Sequence, residues 1–279
     1  MKYKLTDETT TTNTGIVLHR IECVTAFSGV KVGEKGGWIE REENISQCDN
    51  CWVYGDAFVC ENAQVYGDAL VFGNAQVYGN ARVYGDALVY GDTLVCENAQ
   101  VYGDAQVYGD AQVYGDAFVY GNARVYGDAQ VCDNAQVYGN ARVYGDALVY
   151  GDTLVCGNAH VYGNARVYED AHVYGNARVY GDALVCENAK VCGNALVCEN
   201  VQVCGNAVIG NSNDYIVFKN NWSSGRYFTW TSSNDMWKVG CFYGTGKELI
   251  EKAYKDSKLS GDCYKAYVEL VEKLKEIQK

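Results

Sequence analysis

Val53-Tyr54-Gly55-Asp56-Ala57-Phe58 decides the fold, because the chain repeats this hexad without a gap. Val begins 26 consecutive hexads from Val53 to Val203, and Ile209 takes the next such place. A short fixed period means a stacked array. Polarity alternates within each hexad: in Ala57-Phe58-Val59-Cys60 the first and third residues are small or aliphatic and the others vary. That is period two, a strand with Ala and Val on one face. The two remaining residues, usually Gly then Asp or Asn, suit a corner. A helix is excluded, since the Gly found in most hexads would cost it roughly 1 kcal/mol each time. The fourth place is Asp or Asn throughout, from Asp56 to Asn206, whereas Glu61, Glu97, Asp133, Glu169, Glu187 and Glu199 break the Gly pattern at the third. This predicts the fourth residue as the one in left-handed backbone, which Asn and Asp tolerate.

One coil cannot bury its inner face alone, but stacked coils enclose Val and Ala and let neighbouring strands bond each other. The hexads fit the pattern aliphatic-x-x-x-small-x, and the run resembles the hexapeptide-repeat proteins. The resemblance implies an all-β solenoid, a single-stranded left-handed parallel β-helix with three hexads per coil. The left hand rests on the resemblance, since it runs against the usual handedness of crossovers. Between eight and nine coils follow, a rod on the order of 40 Å long.

Residues 1–52 read as a small β cap. Thr9 to Thr12 is expected as a loop tip, Ile16-Val17-Leu18 and Ile21 to Phe27 as strands, and Gly36-Gly37-Trp38-Ile39-Glu40 as a strand after a turn. Trp38 and Trp52 are expected across the open end of the first coil, where an uncovered edge would template polymerisation. Leu18-His19-Arg20-Ile21, Phe27, Val30-Lys31 and Gly36-Gly37-Trp38-Ile39-Glu40, leading into Trp52-Val53-Tyr54-Gly55, resemble the opening of a group of bacterial and prophage β-helix proteins, often labelled transferase or uncharacterised.

Residues 53–209 form the array and 210–279 an α+β cap, a hairpin plus two helices. Strands are expected at Tyr215 to Lys219, Arg226 to Thr231 and Met236 to Phe242, with Trp222, Trp230 and Trp237 filling a small core. Thr245 and Glu248 make a capping box for a helix near 246 to 258. A second helix begins near Gly261, its apolar stripe Cys263, Tyr267, Leu270, Leu274 and Ile277. This end resembles a C-terminal segment of some phage-type proteins.

Composition narrows function. With 23 basic and 35 acidic residues the net charge is −12, which argues against a nucleic-acid partner. The first residues lack the apolar core of a secretion signal, and no apolar run is long enough for a membrane span. The 13 cysteines are an odd count. Cys60, Cys96, Cys132, Cys156, Cys186, Cys192, Cys198 and Cys204 take the outward Tyr place, which reads as surface thiols in a reducing bacterial cytoplasm.

Ala81 to Cys96 recurs as Ala141 to Cys156, ten hexads on. Ten is not a multiple of three, so on a three-sided coil the copy lies on another face, and the faces read as nearly equivalent. Outward Tyr or Phe at 54, 72, 90, 108, 126, 144, 162 and 180 would form a ladder. Such a ladder stabilises the sheet through cross-strand pairs, or serves self-association or docking.

Candidate chemistry is sparse. An acyltransferase of the hexapeptide class would need a His general base and a loop holding coenzyme A. His160 and His172 are the array's histidines, both in the variable outer place, and no loop interrupts the run. A zinc anhydrase would need three converging histidines, and His19, His160 and His172 lack the spacing. Cys48-Asp49-Asn50-Cys51 is a lone CxxC. Gly244-Thr245-Gly246-Lys247 fails the phosphate-loop pattern because Glu248 follows the Lys. Corner carboxylates in columns suit calcium in principle, but they suit the turn equally well without it.

The sequence therefore favours a non-catalytic scaffold or protein-binding rod without cofactor or metal, of bacterial or prophage origin. It would engage a protein partner, or itself as a homo-oligomer, through the aromatic ladders or the C-terminal cap. The alternatives are the coenzyme A-dependent acyltransferase, with His160 or His172 as base, and an inhibitor or sequestering protein acting through residues 210–279.

Overall fold

A computed structural model describes residues 1–277. Between Trp52 and Ile209, 27 short strands wind through three parallel sheets, nine strands from the array to each. Each strand pairs with the one 18 residues on, so three hexads make one turn: Leu88 lies over Leu70, and Gln106 over Leu88. Nine turns follow from 27 strands. Face 1 runs from Trp52–Val53 to Leu196–Val197, face 2 from Phe58–Val59 to Gln202–Val203, and face 3 from Gln64–Val65 to Val208–Ile209. In every strand the hexad-initial residue points inward, Val in all but the last and Ile209 there. Val53, Val125, Val197 and their equivalents are wholly buried with the intervening Ala residues, so the prism is filled rather than hollow.

The corners correct one expectation. The third residue, not the fourth, adopts left-handed backbone: Glu61, Glu97, Asp133, Glu169, Glu187 and Glu199 have φ between 56 and 61°, as do the glycines at equivalent places within a few tens of degrees. Glycine dominates there for a second reason, since a Cβ on Gly91 would sit 2.8 Å from the Gly109 carbonyl oxygen one coil up. Where an acid replaces it, the carboxylate is used. Glu61 and Glu97 accept the N–H of Gly79 and Gly115 at 2.7 Å, and Glu169 that of Glu187 at 2.8 Å. These charge-assisted bonds offset backbone strain of order 1–3 kcal/mol. The fourth residue has a different task. Its side chain bonds the next coil's, as in the run Asn140→Asn158→Asn176→Asn194 at 3.1 Å per step.

The faces are not equivalent. Five of the six third-place acids, Glu61, Glu97, Asp133, Glu169 and Glu187, share the single corner that follows face 2. The thiols also depart from expectation. Cys60, Cys96, Cys132, Cys186 and Cys204 take the outward place yet are no more than 6% exposed. A short thiol lies in the trough beside a much larger Tyr of the next coil, as Cys96 does beside Tyr78 and Tyr114. All 13 cysteines are free.

The N-terminal cap is built from β1 (Tyr3–Thr11), β2 (Val17–Cys23) and β3 (Lys35–Ile39). β3 runs parallel to Phe58–Val59 and begins face 2, while β2 and β1 continue that sheet antiparallel. Ile45 bridges Val65 on face 3, so the cap supplies a further, irregular turn below the nine. Thr9 to Thr11 belong to β1 rather than to a loop, because Thr9, Thr10 and Thr11 pair with His19, Leu18 and Val17. Trp52 is wholly buried, with Tyr3 and Phe27 edge-on at 6.0 and 5.4 Å. Trp38 does not share that role. It stands on the outer surface, partly exposed, with the Arg20 guanidinium 4.8 Å over its ring. Lys2 is 6% exposed, and its Nζ donates to the carbonyls of Asp49 (2.9 Å) and Cys51 (2.8 Å).

At the other end, strands at Tyr215–Lys219, Tyr227–Thr231, Met236–Val239 and Phe242–Thr245 form an antiparallel sheet. The expected strand from Met236 to Phe242 is broken by a turn at Gly240, φ 56°. Helices α1 (Gly246–Asp256) and α2 (Lys258–Ile277) follow, and the Thr245–Glu248 capping box forms. The buried residues of α2 are Gly261, Tyr264, Val268 and Val271, while Leu270 and Ile277 are exposed. The stripe packs on its own sheet, with Tyr264 4.5 Å from the Phe228 ring. Trp230 and Trp237 join that core, whereas Trp222 is 78% exposed.

Outward tyrosines stack as expected. From Phe72 to Tyr180 on face 1 the ring centroids are 4.8–4.9 Å apart and the rings nearly parallel, whereas Tyr54, expected as the first rung, is edge-on to Trp52 instead. A second ladder climbs face 3 from Tyr66 to Tyr138. Burial raises the hydroxyls of Tyr84, Tyr102 and Tyr144, and Tyr78 is pushed up to about 12 by burial and by Cys96. Unfolded tyrosines lose their protons near pH 10. Above that pH the unfolded chain binds fewer protons than the folded one, so stability falls as pH rises. The expected result is intact structure up to about pH 10, with cooperative unfolding above it. Tyrosinate absorbance and loss of β circular dichroism should rise together; ionisation complete before any structural change would contradict this.

Candidate functional site

The two array histidines lie on different faces. His160 is on face 1, between Arg142 below and Arg178 above, with its ring edge-on to Tyr144 at 6.2 Å. Its basicity is lowered by partial burial and by those two guanidiniums, which favours the neutral imidazole. His172 is on face 3, between Leu154 and Lys190. His19 is in β2, with its Nδ1 3.3 Å from the Thr6 carbonyl oxygen. The three imidazoles are in separate elements and none joins a metal-ligand cluster among the described residues.

Cys48 is exposed, whereas Cys51 is wholly buried, with its Sγ 3.4 Å from Lys2 Nζ. This CxxC occupies the corner between Ile45 on face 3 and Val53 on face 1, eight residues apart where the array uses six. The two extra residues lengthen this corner. Gly244 to Lys247 form the entry to α1, where Glu248 caps the helix.

Two features were missed in the sequence. One is a cleft of about 570 Å³ where the hairpin tip, Thr10 to Thr14, overhangs face 2. Its other walls include Trp38, Phe58, Gln76 and Tyr78, an aromatic floor beneath threonine hydroxyls. No histidine lines it. Only the pairing of β1 with β2 brings the hairpin over the sheet, and the composition of the Thr run carries no sign of that. The other feature is the group Glu169, Cys186 and Glu187, whose ligand atoms lie within 4.8 Å of one another. Its signal was legible: 169 and 187 are 18 apart, so two third-place acids meet in successive coils. Glu169 already accepts the Glu187 N–H, which accounts for the arrangement as a corner contact.

Among the described residues, no helix is long and apolar enough to cross a membrane. The cleft under the hairpin tip has no histidine, whereas His172 lines a shallow concavity of about 580 Å³ on face 3 with Asp170, Asn188, Lys190, Asn206 and Val208.

The profile of the family described as "YdcK Beta solenoid repeat" matches residues 63–79, 75–91, 81–97, 99–115, 117–133, 135–151, 141–157, 159–175 and 171–187. A curated relative, "Uncharacterized acetyltransferase YdcK" of Escherichia coli (strain K12), is 35% identical over 60 residues. That alignment covers 19% of this chain and 18% of the relative, so this chain matches under a fifth of that protein. The three-sheet winding and the repeat matches agree in place and period: the stretches matched between residues 63 and 187 are similar to the YdcK β-solenoid repeat and lie within the solenoid.

Proposed function

We propose that the chain is a non-catalytic, left-handed β-solenoid rod that spaces or binds proteins in a bacterial or prophage-encoded system. The observation that carries this is the unbroken winding from Trp52 to Ile209, in which no loop leaves the stack. The hexapeptide pattern supports the left hand. Thirteen free thiols support a reducing cytoplasm. Partner contact is proposed at the aromatic ladders or at the C-terminal cap, where Trp222 stands exposed.

The acyltransferase reading draws its support from the name of the E. coli relative. It requires coenzyme A to bind the folded chain, and a ligand at about 100 times its Kd raises stability by about 2.7 kcal/mol. The rod reading expects no shift in melting temperature at millimolar coenzyme A or acetyl-coenzyme A. It also expects His160→Ala and His172→Ala to melt with the parent. A shift of several degrees, abolished by either substitution, would overturn the rod reading.

A further inference from the structure

Face 1 carries two columns of charge that form no ion pair within the protomer among the described residues, although Asp182 accepts a hydrogen bond from Asn164 Nδ2 at 2.9 Å. In four successive coils the rung before Val is Arg124, Arg142, His160 and Arg178, stacked in register. The rung after Val is Tyr126, Tyr144, Tyr162 and Tyr180. The following corner holds Asp128, Asp146, Asn164 and Asp182. Across its width the face therefore reads basic, aromatic, acidic. The arginines and aspartates are exposed. Among the described residues none of these six charges makes an ion pair. Like charges on neighbouring rungs repel and destabilise a sheet, and here two such columns stand side by side.

The pairing of charges is systematic. All five array arginines, Arg82, Arg124, Arg142, Arg166 and Arg178, are followed four residues on by Asp: Asp86, Asp128, Asp146, Asp170 and Asp182. His160, His172 and Lys190 are followed by Asn164, Asn176 and Asn194. The two charges of one hexad are separated by the strand and the turn into the corner, and among the described residues none of the five hexads closes an ion pair between them. A complementary surface would pair them.

We infer that this surface is face 1 of a second copy, in a parallel dimer whose two-fold axis runs along the rod. Rotation about that axis exchanges left and right and leaves height unchanged. It sets Arg124 against the partner's Asp128, Arg142 against the partner's Asp146, and Arg178 against the partner's Asp182. The reciprocal three pairs form by symmetry, as an isologous contact requires. His160 meets the partner's Asn164, and the tyrosine columns meet each other at the axis. A two-fold axis across the rod would instead lay arginine on arginine, which charge repulsion forbids. A second copy also matches the ladders in pitch, since both climb one coil at a time. An acidic peptide laid along the rod as a strand would present same-side carboxylates at about 6.6 Å and lose step with a ladder whose rings repeat at 4.8 Å. The dimer does not depend on whether the rod is catalytic.

The test is sedimentation equilibrium of the full chain at low and high salt, with two charge variants checked for folding by circular dichroism. One variant combines Arg124→Asp, Arg142→Asp and Arg178→Asp, and the other Asp128→Arg, Asp146→Arg and Asp182→Arg. A milder pair, with Gln at the arginines or Asn at the aspartates, replaces either variant that misfolds. The parent should be a dimer that weakens with salt. Each charge variant alone should dimerise about 100-fold more weakly, while an equimolar mixture of the two should associate, because every facing pair is then opposite in charge. With the milder pair the expected result is the same weakening in each variant alone. A monomeric or trimeric parent, charge variants that still self-associate, or a mixture that stays monomeric would overturn the inference.

Discussion

Val125→Asp abolishes the fold of the array. Val125 is wholly buried on face 1, between Val107 and Val143 of the coils below and above. Nothing in that interior pairs with a carboxylate, because the inward places are Val and Ala, with Thr93 and Thr153 as exceptions. A buried unpaired charge costs several kcal/mol after relaxation, against a total stability of about 5–15 kcal/mol for a typical domain. The loss does not stay local, since each coil is stabilised chiefly by its neighbours. Soluble, folded protein should be absent at 37 °C, or should melt tens of degrees below the parent by circular dichroism. The control is Gln112→Asp, a change on an outward rung of face 2 that should cost no more than about 0.5 kcal/mol. Equal melting of the two variants would show that the valines do not form the core.

Trp52→Ala carries the second largest effect, and it separates the two tryptophans that the sequence treats alike. Trp52 fills the base of the prism beneath Tyr3 and Phe27. Truncating a buried aromatic costs about 3–5 kcal/mol. It also loosens the cover over the first regular coil, where exposed strand edges recruit other chains. Denaturant unfolding should therefore show the loss in stability, and size-exclusion chromatography should show high-mass species that the parent lacks. Trp38→Ala removes a half-exposed ring and its contact with Arg20, worth about 0.5–1 kcal/mol at an exposed site, and should remain monodisperse to the same extent as the parent. If Trp38→Ala were the more damaging change, the cap would close the solenoid in another way.

What the chain reveals by eye is whatever one hexad can encode. Ala57, Val59 and their repeats declare their face by alternation alone, and the 18-residue turn follows from the family pattern. What needs a neighbour is less visible. The left-handed corner residue is Gly55 rather than Asp56, because the constant Asp or Asn reads as a backbone preference until the coil above shows that its side chain is a rung. Cys96 reads as exposed by its place in the hexad, and only the Tyr of the next coil covers it. Thr9 to Thr11 read as a loop, since polarity without alternation carries no strand signal, and pairing with His19, Leu18 and Val17 overrides it. In α2 the stripe Cys263, Tyr267, Leu270, Leu274 and Ile277 is only partly used: Cys263 and Tyr267 pack against the core that Tyr264, Val268 and Val271 fill, while Leu270 and Ile277 are exposed, and the choice belongs to the sheet beneath. The candidate sites follow the same rule. His160 and His172 are found on the outward rungs that their hexad place implies, whereas the cleft under Thr10 to Thr14 arises from a hairpin folding back over a distant strand.

The central claim is that the valine-alanine rhythm winds three hexads to a turn around its own side chains. A crystal structure of the purified chain, read for side-chain direction from Val53 to Ile209, tests it most directly. The account predicts every hexad-initial valine pointing to the axis, each strand bonded to the one 18 residues away and tyrosine rings stacked 4.8 Å apart on face 1. Valines facing solvent, or pairing at any other interval, would contradict it.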